Sequence, residues 1–490
     1  MITGDYTERR RKAKSGKVVT DKIVRSSTGT EYAIGKRLGA GGVARVFKAR
    51  RLRDLKECVF KEYVPSPETR RMHAAIKRNI LKLMAEPLKE GDGVTPLRSF
   101  IGPMDKDSFI PLPASQSFGY VMELVDEGLF LPVPKLWHSS TYPSADVLCK
   151  ACSNIATLFR TIHFRGWCYK DINEGNIFIN NKTGDVRIID CDNISVQSTK
   201  TIKGTDGFMA PEVYATSTPD TLTDYFSMAV LFYRIFVGGY PMDGKRTRKY
   251  LLSKNLSVQE AASTIYGTMA LFAFDPNDGS NEIRTLKDPL CPHLYENQAM
   301  MWDRLPLEIQ EGFIKTFSTG LAKDNRHMRA TDKNWKDIFD KLKSTGLVRC
   351  RCGRFNFGHA QKDVECLFCH AKLPRLSSTT PTIGTGSELT TVKFSVRRDI
   401  APTRLSVVAK RKQQLPGTPI YPGLNDGWMR IEYNKKLNKL SVVNLSQHTW
   451  SVSDNGGRTP CAPRGRVIIK VGLVITVLHR QLQLTVTEVK

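Results

Sequence analysis

Nowhere in the 490 residues is there an unbroken apolar run of about 18, so no membrane-spanning helix is expected. The opening segment, MITGDYTERRRKAKSGK, is polar and basic with no apolar core behind it. That argues against a secretory signal and for a cytoplasmic protein. A disulfide framework is not expected either. The eleven cysteines are an odd number, and outside one cluster they are scattered as reduced thiols would be. Acidic residues are scarce beside basic ones, 48 Asp and Glu against 74 Lys and Arg, for a net charge of +26. Such an excess suits nucleic acid, anionic lipid or acidic proteins as partners. Basic stretches with interleaved aromatics are missing, however, and a direct nucleic-acid function is not expected. Internal repeats are also absent.

What is present divides the chain by pattern. Residues 1–27 read as a basic, disordered tail. From 28 to 345 the apolar pattern is continuous. Strand-like runs come first (EYAIGKRL, ARVFKAR, ECVFKEYV, FGYVMELV), and helical runs follow (ADVLCKACSNIATLFRTIHFRG, TDYFSMAVLFYRIFVGG, WKDIFDKLKSTG). A β-rich front and a helical back predict an α+β domain. Residues 346–375 hold the cysteine cluster, and 376–402 form a linker that starts Ser/Thr/Gly/Pro-rich. Short alternating strands separated by turns over 403–490 predict a small all-β domain.

Chemistry concentrates in CYKDINEGNIFINNKTGDVRIIDCDN, residues 168–193. NIFIN and VRIID are short strands joined by the turn NKTGD, which puts Asn176 and Asp190 at the same open end of a hairpin. Asp171 precedes Asn176 by five residues, on a loop after a long helix. One carboxamide and two carboxylates can meet there. Mg²⁺ takes hard oxygen ligands and completes its shell with water and phosphate, and a neighbouring Asp can orient an attacking hydroxyl. Upstream, Gly39, Gly41 and Gly42 lie between two strands, where glycine lets backbone amides approach phosphate. Lys61 follows in the apolar strand CVFKEY. A lone strand lysine is ordinarily a snorkelling surface residue. Its place after a glycine loop points to phosphate instead.

Over about residues 30–345 the chain resembles the protein kinase superfamily. The family's G-x-G-x-x-G-x-V loop is matched by Gly39, Gly41 and Val46, with Ala44 in place of the third glycine. Its strand lysine is matched by Lys61. YVMELV resembles the hinge, which implies adenine contacts from the backbones of Glu123 and Val125 and Met122 as gatekeeper. H-R-D-x-x-x-x-N is matched only in Asp171 and Asn176, and D-F-G only in Asp190. GTDGFMAPEV resembles the end of the activation segment. The resemblance further implies that Asp224 braces the catalytic loop and that Arg329 pairs with Glu212.

Several departures carry consequences. Lys170 replaces the arginine that reads a phosphate on the activation segment, and Asn173 replaces the lysine two residues after the catalytic aspartate. Cys191 and Asp192 replace the Phe-Gly that follows the metal-binding aspartate. SPETRRMHAAIKRNILKLMAEPL reads as the helix that should carry a glutamate for Lys61, with Ser66 as N-cap and Pro67 in the first turn. The expected position falls near Lys77, so Glu68 is taken as the partner over Glu86.

Cys350-x-Cys352 and, after thirteen intervening residues, Cys366-x-x-Cys369 form two close pairs on two turns, which match a structural, tetrahedral zinc ribbon. His359 and His370 are nearby substitutes, but four cysteines already complete the shell. Beyond the linker, VVNLS, the APRG turn and IIKVGLVITV resemble the second half of a forkhead-associated domain, a β-sandwich. The Gly-Arg entry and Ser-x-x-His motif of that family are not recognisable ahead of it, so a plain interaction module is the expectation. Residues 376–490 hold 17 Lys and Arg against 6 Asp and Glu, which suits an acidic or phosphorylated partner.

The expected molecule is thus a two-lobed protein-kinase-like fold, with lobes at about 28–125 and 126–345, followed by a zinc ribbon and a forkhead-associated-like β-sandwich. The expected activity is ATP-dependent phosphorylation of a protein serine or threonine. ATP would be used with Mg²⁺ or Mn²⁺. Asp171 and Lys61 would be catalytic, and Asn176 and Asp190 would hold the metal. The alternatives are a nucleotide-binding pseudokinase scaffold and a small-molecule kinase, to which the Asp-x-Asp at 190–192 has a counterpart.

Overall fold

Strand β5 (Glu57–Tyr63) shows how the front of the molecule is built. Its side chains alternate across the sheet. Cys58 and Phe60 join one apolar cluster, with Val24, Tyr32 and Val121. Val59 and Tyr63 join a second, with Ile76, Ile80, Phe118 and Tyr120. By the same period Lys61 shares the face of Val59 and Tyr63.

In this computed structural model the described residues are 7–12, 18–40, 44–64, 70–85, 100–102, 106–113, 115–138, 140–191, 194–196, 204–215, 218–253, 256–287, 293–359, 363–375, 390–396, 429–434, 439–444, 450–454, 457–462, 464–468, 470, 473–477 and 482–489. They form two compact units, residues 1–359 with 363–374, and 360–362 with 375–490.

The front sheet of the first unit is antiparallel. It contains β1 (Thr7–Lys12), β2 (Val18–Arg25), β3 (Glu31–Ala40), β4 (Ala44–Arg51), β5, β6 (Phe109–Leu112) and β7 (Ser117–Glu123), in the order β1-β2-β3-β4-β5-β7-β6. Helix α1 (Arg70–Ala85) packs Ile76, Ile80 and Met84 into the second cluster. The expectation of a disordered tail over 1–27 is corrected here. Residues 7–12 and 18–25 form a hairpin, with Thr7 opposite Ile23, and β2 continues onto β3 with Lys22 opposite Ile34. Composition misled because the run ERRRK has no apolar face. An edge strand tolerates charge, and Ile23 and Val24 next to it are buried.

The helical part follows. It comprises β8 (Leu131–Pro132), α2 (Ala145–Phe164), β9 (Trp167–Cys168), β10 (Ile177–Ile179), β11 (Val186–Ile188), β12 (Ser195–Val196), α3 (Pro211–Ala215), α4 (Thr221–Phe236), α5 (Lys245–Ser253), α6 (Val258–Ser263), α7 (Leu294–Asp303), α8 (Leu307–Ile314) and α9 (Asp332–Thr345). Helix α4 is apolar nearly all round, as a helix enclosed by others must be. It starts with a capping box in which Asp220 accepts from the Thr223 amide and Thr223 accepts from the Asp220 amide. Ile155, Phe159, Phe232, Phe313, Trp335 and Phe339 belong to one continuous core. Strands β10 and β11 pair with Ile177 opposite Ile188, and the Ile189 amide bonds the Asn176 carbonyl at 3.0 Å. The hairpin end read from the sequence is therefore formed.

After α9 come β13 (Leu347–Arg349) and β14 (Phe355–Phe357), a short hairpin within the first unit. The second unit contains β15 (Thr390–Val396), β16 (Met429–Asn434), β17 (Lys439–Asn444), β18 (Trp450–Asp454), β19 (Gly457–Cys461), β20 (Arg466–Ile468), β21 (Val474–Val477) and β22 (Leu482–Val489). They form one sheet ordered β15-β22-β21-β18-β19 and another ordered β16-β17-β20. Val443, Trp450, Val452 and Ile475 are buried there.

Candidate active site

The catalytic loop is held from behind. Backbone amides of Tyr169 and Lys170 donate to the two carboxylate oxygens of Asp224, at 2.6 and 3.0 Å. Asp224 sits in the first turn of α4 and is 1% exposed. Lys170 has φ +72°, a left-handed conformation that costs a non-glycine residue of order 1 kcal/mol and persists where surroundings impose it. The two amide bonds to Asp224 are such an imposition. Burial also depresses the Lys170 pKa.

Behind Asp224 lies a residue that sequence reasoning missed. His163, near the end of α2, bonds Asp224 through Nε2 at 3.0 Å and Asp332 through Nδ1 at 2.8 Å. Burial opposes a charged ring, but the bonds to and charges of the two carboxylates outweigh it and lift the pKa to about 9. A charged imidazole donates from both nitrogens, which fits two acceptors. Its partners come from α4 and α9, so only the packed helices reveal the bridge.

Asp171 faces the other way. Its Oδ1 accepts from the Thr205 hydroxyl at 2.7 Å and the Asn173 amide at 3.1 Å. Burial raises the Asp171 pKa, and these two bonds oppose the rise. Asn173 also accepts from the amides of Gly175 and Asn176 at 2.9 and 3.2 Å, a local turn that Asn favours. Thr205 lies in the quoted GTDGF segment, yet nothing local marks it as a partner of Asp171. The Asn176 side chain donates to the Asp171 carbonyl at 3.1 Å, which ties the two ends of the loop together.

Asp190 follows β11 in a left-handed turn at φ +64°. It forms an ion pair with Lys61, whose ammonium also lies 5.3 Å from the Tyr63 ring centre. Sequence positions 129 residues apart thus meet. Cys191 fills the next position as a buried thiol that burial pushes up. The described helix α1, RRMHAAIKRNILKLMA, carries no acidic residue. Glu68 and Glu86, weighed as partners of Lys61, lie outside the described residues, as do Ser66, Pro67 and Asp192.

Above this cluster Val46, Leu124, Val125 and Ile189 are half-buried against the core that contains Met122. Gly39 pairs with Val46 across β3 and β4, while Gly41 and Gly42 lie outside the described residues. Glu123 ends β7 with its exposed side chain on Lys56 at 3.0 Å. Deeper in the helical part, Arg329 is 1% exposed and bonds both oxygens of Glu212, at 2.8 and 2.9 Å, and the Gly320 carbonyl at 2.9 Å. The pairing expected between these two residues is present. Arg234 makes a second paired contact, donating to both oxygens of Glu174 at 2.8 and 2.9 Å.

The four cysteines converge separately from this site. All four sulfurs lie within 4.8 Å of one another. Cys350 and Cys369 are 3.5 Å apart, and Cys352 and Cys366 are 3.7 Å apart. A tetrahedron of sulfurs about 2.3 Å from zinc has edges of about 3.8 Å, so the donor set fits that ion. Each pair sits on a tight turn that uses a left-handed residue, Gly353 at φ +86° and His370 at φ +57°. His359 bonds the Arg304 carbonyl at 3.1 Å and is thereby engaged elsewhere.

Comparison with known proteins agrees with this geometry. The protein kinase domain family matches residues 32–291, more than half of the chain. The serine/threonine-protein kinase pkn2 of Myxococcus xanthus is 30% identical over 101 residues, which cover 18% of this chain and 12% of that protein. The serine/threonine-protein kinase Nek5 of Homo sapiens is 23% identical over 227 residues, 45% of this chain and 30% of that protein. The matches thus span less than a third of either relative. Among solved structures, the autoinhibited serine kinase domain of the giant muscle protein titin aligns at TM-score 0.41 and 14% identity, over 62% of this chain and 78% of that one. With the family match over the region that carries Lys61, Asp171, Asn176 and Asp190, the chain belongs to the protein kinase domain family.

Proposed function

We propose that this chain is a serine/threonine protein kinase that transfers the γ-phosphoryl group of ATP to a protein hydroxyl. The observation that carries the reading is the convergence of Lys61, Asp190, Asn176 and Asp171 around a loop fixed by Asp224. In this reading ATP lies beneath the Gly39, Gly41 and Gly42 loop. Val46 and the backbones of Glu123 and Val125 bound the adenine, and Lys61 holds the inner phosphates. Asn176 and Asp190 offer hard oxygens to Mg²⁺ or Mn²⁺. The bound cation supplies neutralisation of phosphate charge. Asp171 orients the acceptor hydroxyl and takes its proton, and a raised pKa makes it a better base. Thr205, already bonded to Asp171, marks where that hydroxyl would sit.

The four cysteines would hold a structural zinc ion, and the second unit would be a forkhead-associated-like β-sandwich. The basic excess of residues 376–490 is the ground for proposing an acidic or phosphorylated protein as that unit's partner in the cytoplasm. The deciding experiment is transfer of labelled γ-phosphate from Mg-ATP, with the wild type beside Asp171→Ala and Asp190→Ala. Label on protein in the wild type alone is expected. Nucleotide binding without transfer would make the chain a scaffold, and transfer only to an added metabolite would make it a small-molecule kinase.

A further inference from the structure

The four-cysteine module is not an appendage. Residues 363–374 belong to the same compact unit as the helical lobe, and the segments that carry the sulfurs are also those that touch it. Arg304, following α7, donates to the carbonyl of Glu365, the residue before Cys366. Leu367 and Phe368, between Cys366 and Cys369, pack against the core of the lobe. Arg354, two residues after Cys352, donates to the Tyr142 carbonyl at 3.2 Å and covers the Phe368 ring at 4.5 Å. Phe357 on β14 lies 6.0 Å from Phe236, the last residue of α4.

We propose that metal held by Cys350, Cys352, Cys366 and Cys369 acts as a clamp on the helical lobe, so that its occupancy sets the stability of the loop carrying Asp171. The inference rests on reading the four thiols as a metal site. Three features support it. Regular strand pairing in the described module is slight: β13 and β14 pair over three residues each, an isolated bridge joins Glu365 to Lys372, and the two turns are tied by Asn356, whose side chain accepts from the Leu367 amide at 3.0 Å. A two-stranded hairpin of that size is not stable alone in water. Next, the seam contains a cavity of about 40 Å³ bounded by Leu148, Phe236, Leu305, Phe357, Leu367 and Phe368. The seam is thus packed through Phe357, Leu367 and Phe368 but not filled solid.

The third feature is the path inward. The clamp meets the lobe at Tyr142, just before α2, and at Phe236, the end of α4. The opposite ends of the same two helices hold the catalytic loop. On α2, Phe159 packs edge-on against Tyr169 at 5.5 Å and His163 bonds Asp224. On α4, Asp224 takes the amides of Tyr169 and Lys170. Helix α2 alone, at 20 residues, spans about 30 Å. Loosening the clamp releases both helices at one end, and local opening then reaches the loop at the other.

The test uses the full chain. Metal content is measured first. A thiophilic chelator then strips the metal and is removed, and Mg-ATP is supplied. The readouts are amide hydrogen exchange over 165–176, exchange over β5 as a control, and γ-phosphate transfer. The expectation is about one zinc per chain. Stripping should raise exchange over 165–176 by about tenfold or more with β5 unchanged, lower transfer to a similar degree, and be reversed by added zinc. Metal that is present but whose removal leaves the loop and transfer unchanged overturns the clamp while the metal site stands. Failure to bind zinc at all overturns both. Phe357→Ala combined with Arg304→Ala leaves every sulfur in place. It should keep its zinc, yet exchange over 165–176 like the stripped wild type and respond little to chelation. Wild-type protection in that variant refutes the coupling.

Discussion

Raising the pH from 6 to 9 should weaken the helical lobe through one side chain, His163. Its ring lies between Asp224 and Asp332 with 4% of the side chain exposed, and its pKa is lifted from 6.5 to about 9. A raised pKa means that the folded state binds the proton more tightly than the unfolded chain. The resulting stability is fully present below pH 6.5 and is lost as the pH climbs through about 9. A difference of about 2.5 units at 1.36 kcal/mol each gives about 3 kcal/mol as an upper figure. Replacing the ring with a neutral amide, His163→Gln, removes the titration and leaves two buried carboxylates without their cation, a loss of about 3–5 kcal/mol near neutral pH. Wild type and variant should therefore differ by about 3 kcal/mol or more at pH 6, and the gap should narrow by about 3 kcal/mol as the pH passes 9. Urea unfolding followed by tryptophan fluorescence measures both, because Trp335 is buried in the same core. Titrating groups remote from the bridge, including the four thiols, are common to the two proteins and cancel in the difference, so what remains belongs to His163 and the two carboxylates it joins. Parallel curves across this range would refute the charged bridge. They would mean that a neutral ring satisfies only one carboxylate as donor.

Three further perturbations test other contacts. Arg329→Ala leaves the buried Glu212 carboxylate with the more distant Arg326 guanidinium, at 3.5 Å, and should cost about 3 kcal/mol in the same unfolding assay, whereas Arg329→Lys should recover part of it. Thr205→Val deletes a bond that holds the Asp171 pKa down, so the acid limb of the pH–rate profile should move to higher pH; an unmoved limb would show that this bond does not act on the base. Asp224→Asn keeps the size but weakens the acceptor for two amides and for His163, so exchange at Tyr169 and Lys170 should rise by about tenfold with the front sheet unaffected.

Local rules were enough for much of this molecule. The period of two in β5 put Lys61 on the face of Val59 and Tyr63, and a turn flanked by two short apolar runs made the hairpin that carries Asn176 and Asp190. Spacing alone paired the four cysteines on two turns. These features depend on residues a few positions apart, so they can be read along the chain. The charge of ERRRK, by contrast, concealed an edge strand, because its support comes from Ile23 and Val24 in the neighbouring strand. The His163 bridge, the Thr205 hydroxyl on Asp171 and the seating of Phe357 against Phe236 were likewise beyond local reading. Each partner there is between 34 and 169 residues away. Sequence by itself determined the alternation of strands such as β5, the helices α1, α2, α4 and α9 and the inventory of chemical groups, since backbone period and turn geometry act at short range. Tertiary packing decided which carboxylate receives the amides of Tyr169 and Lys170, what charges His163, and where the cysteine module rests, because those choices depend on which surfaces the whole chain buries together.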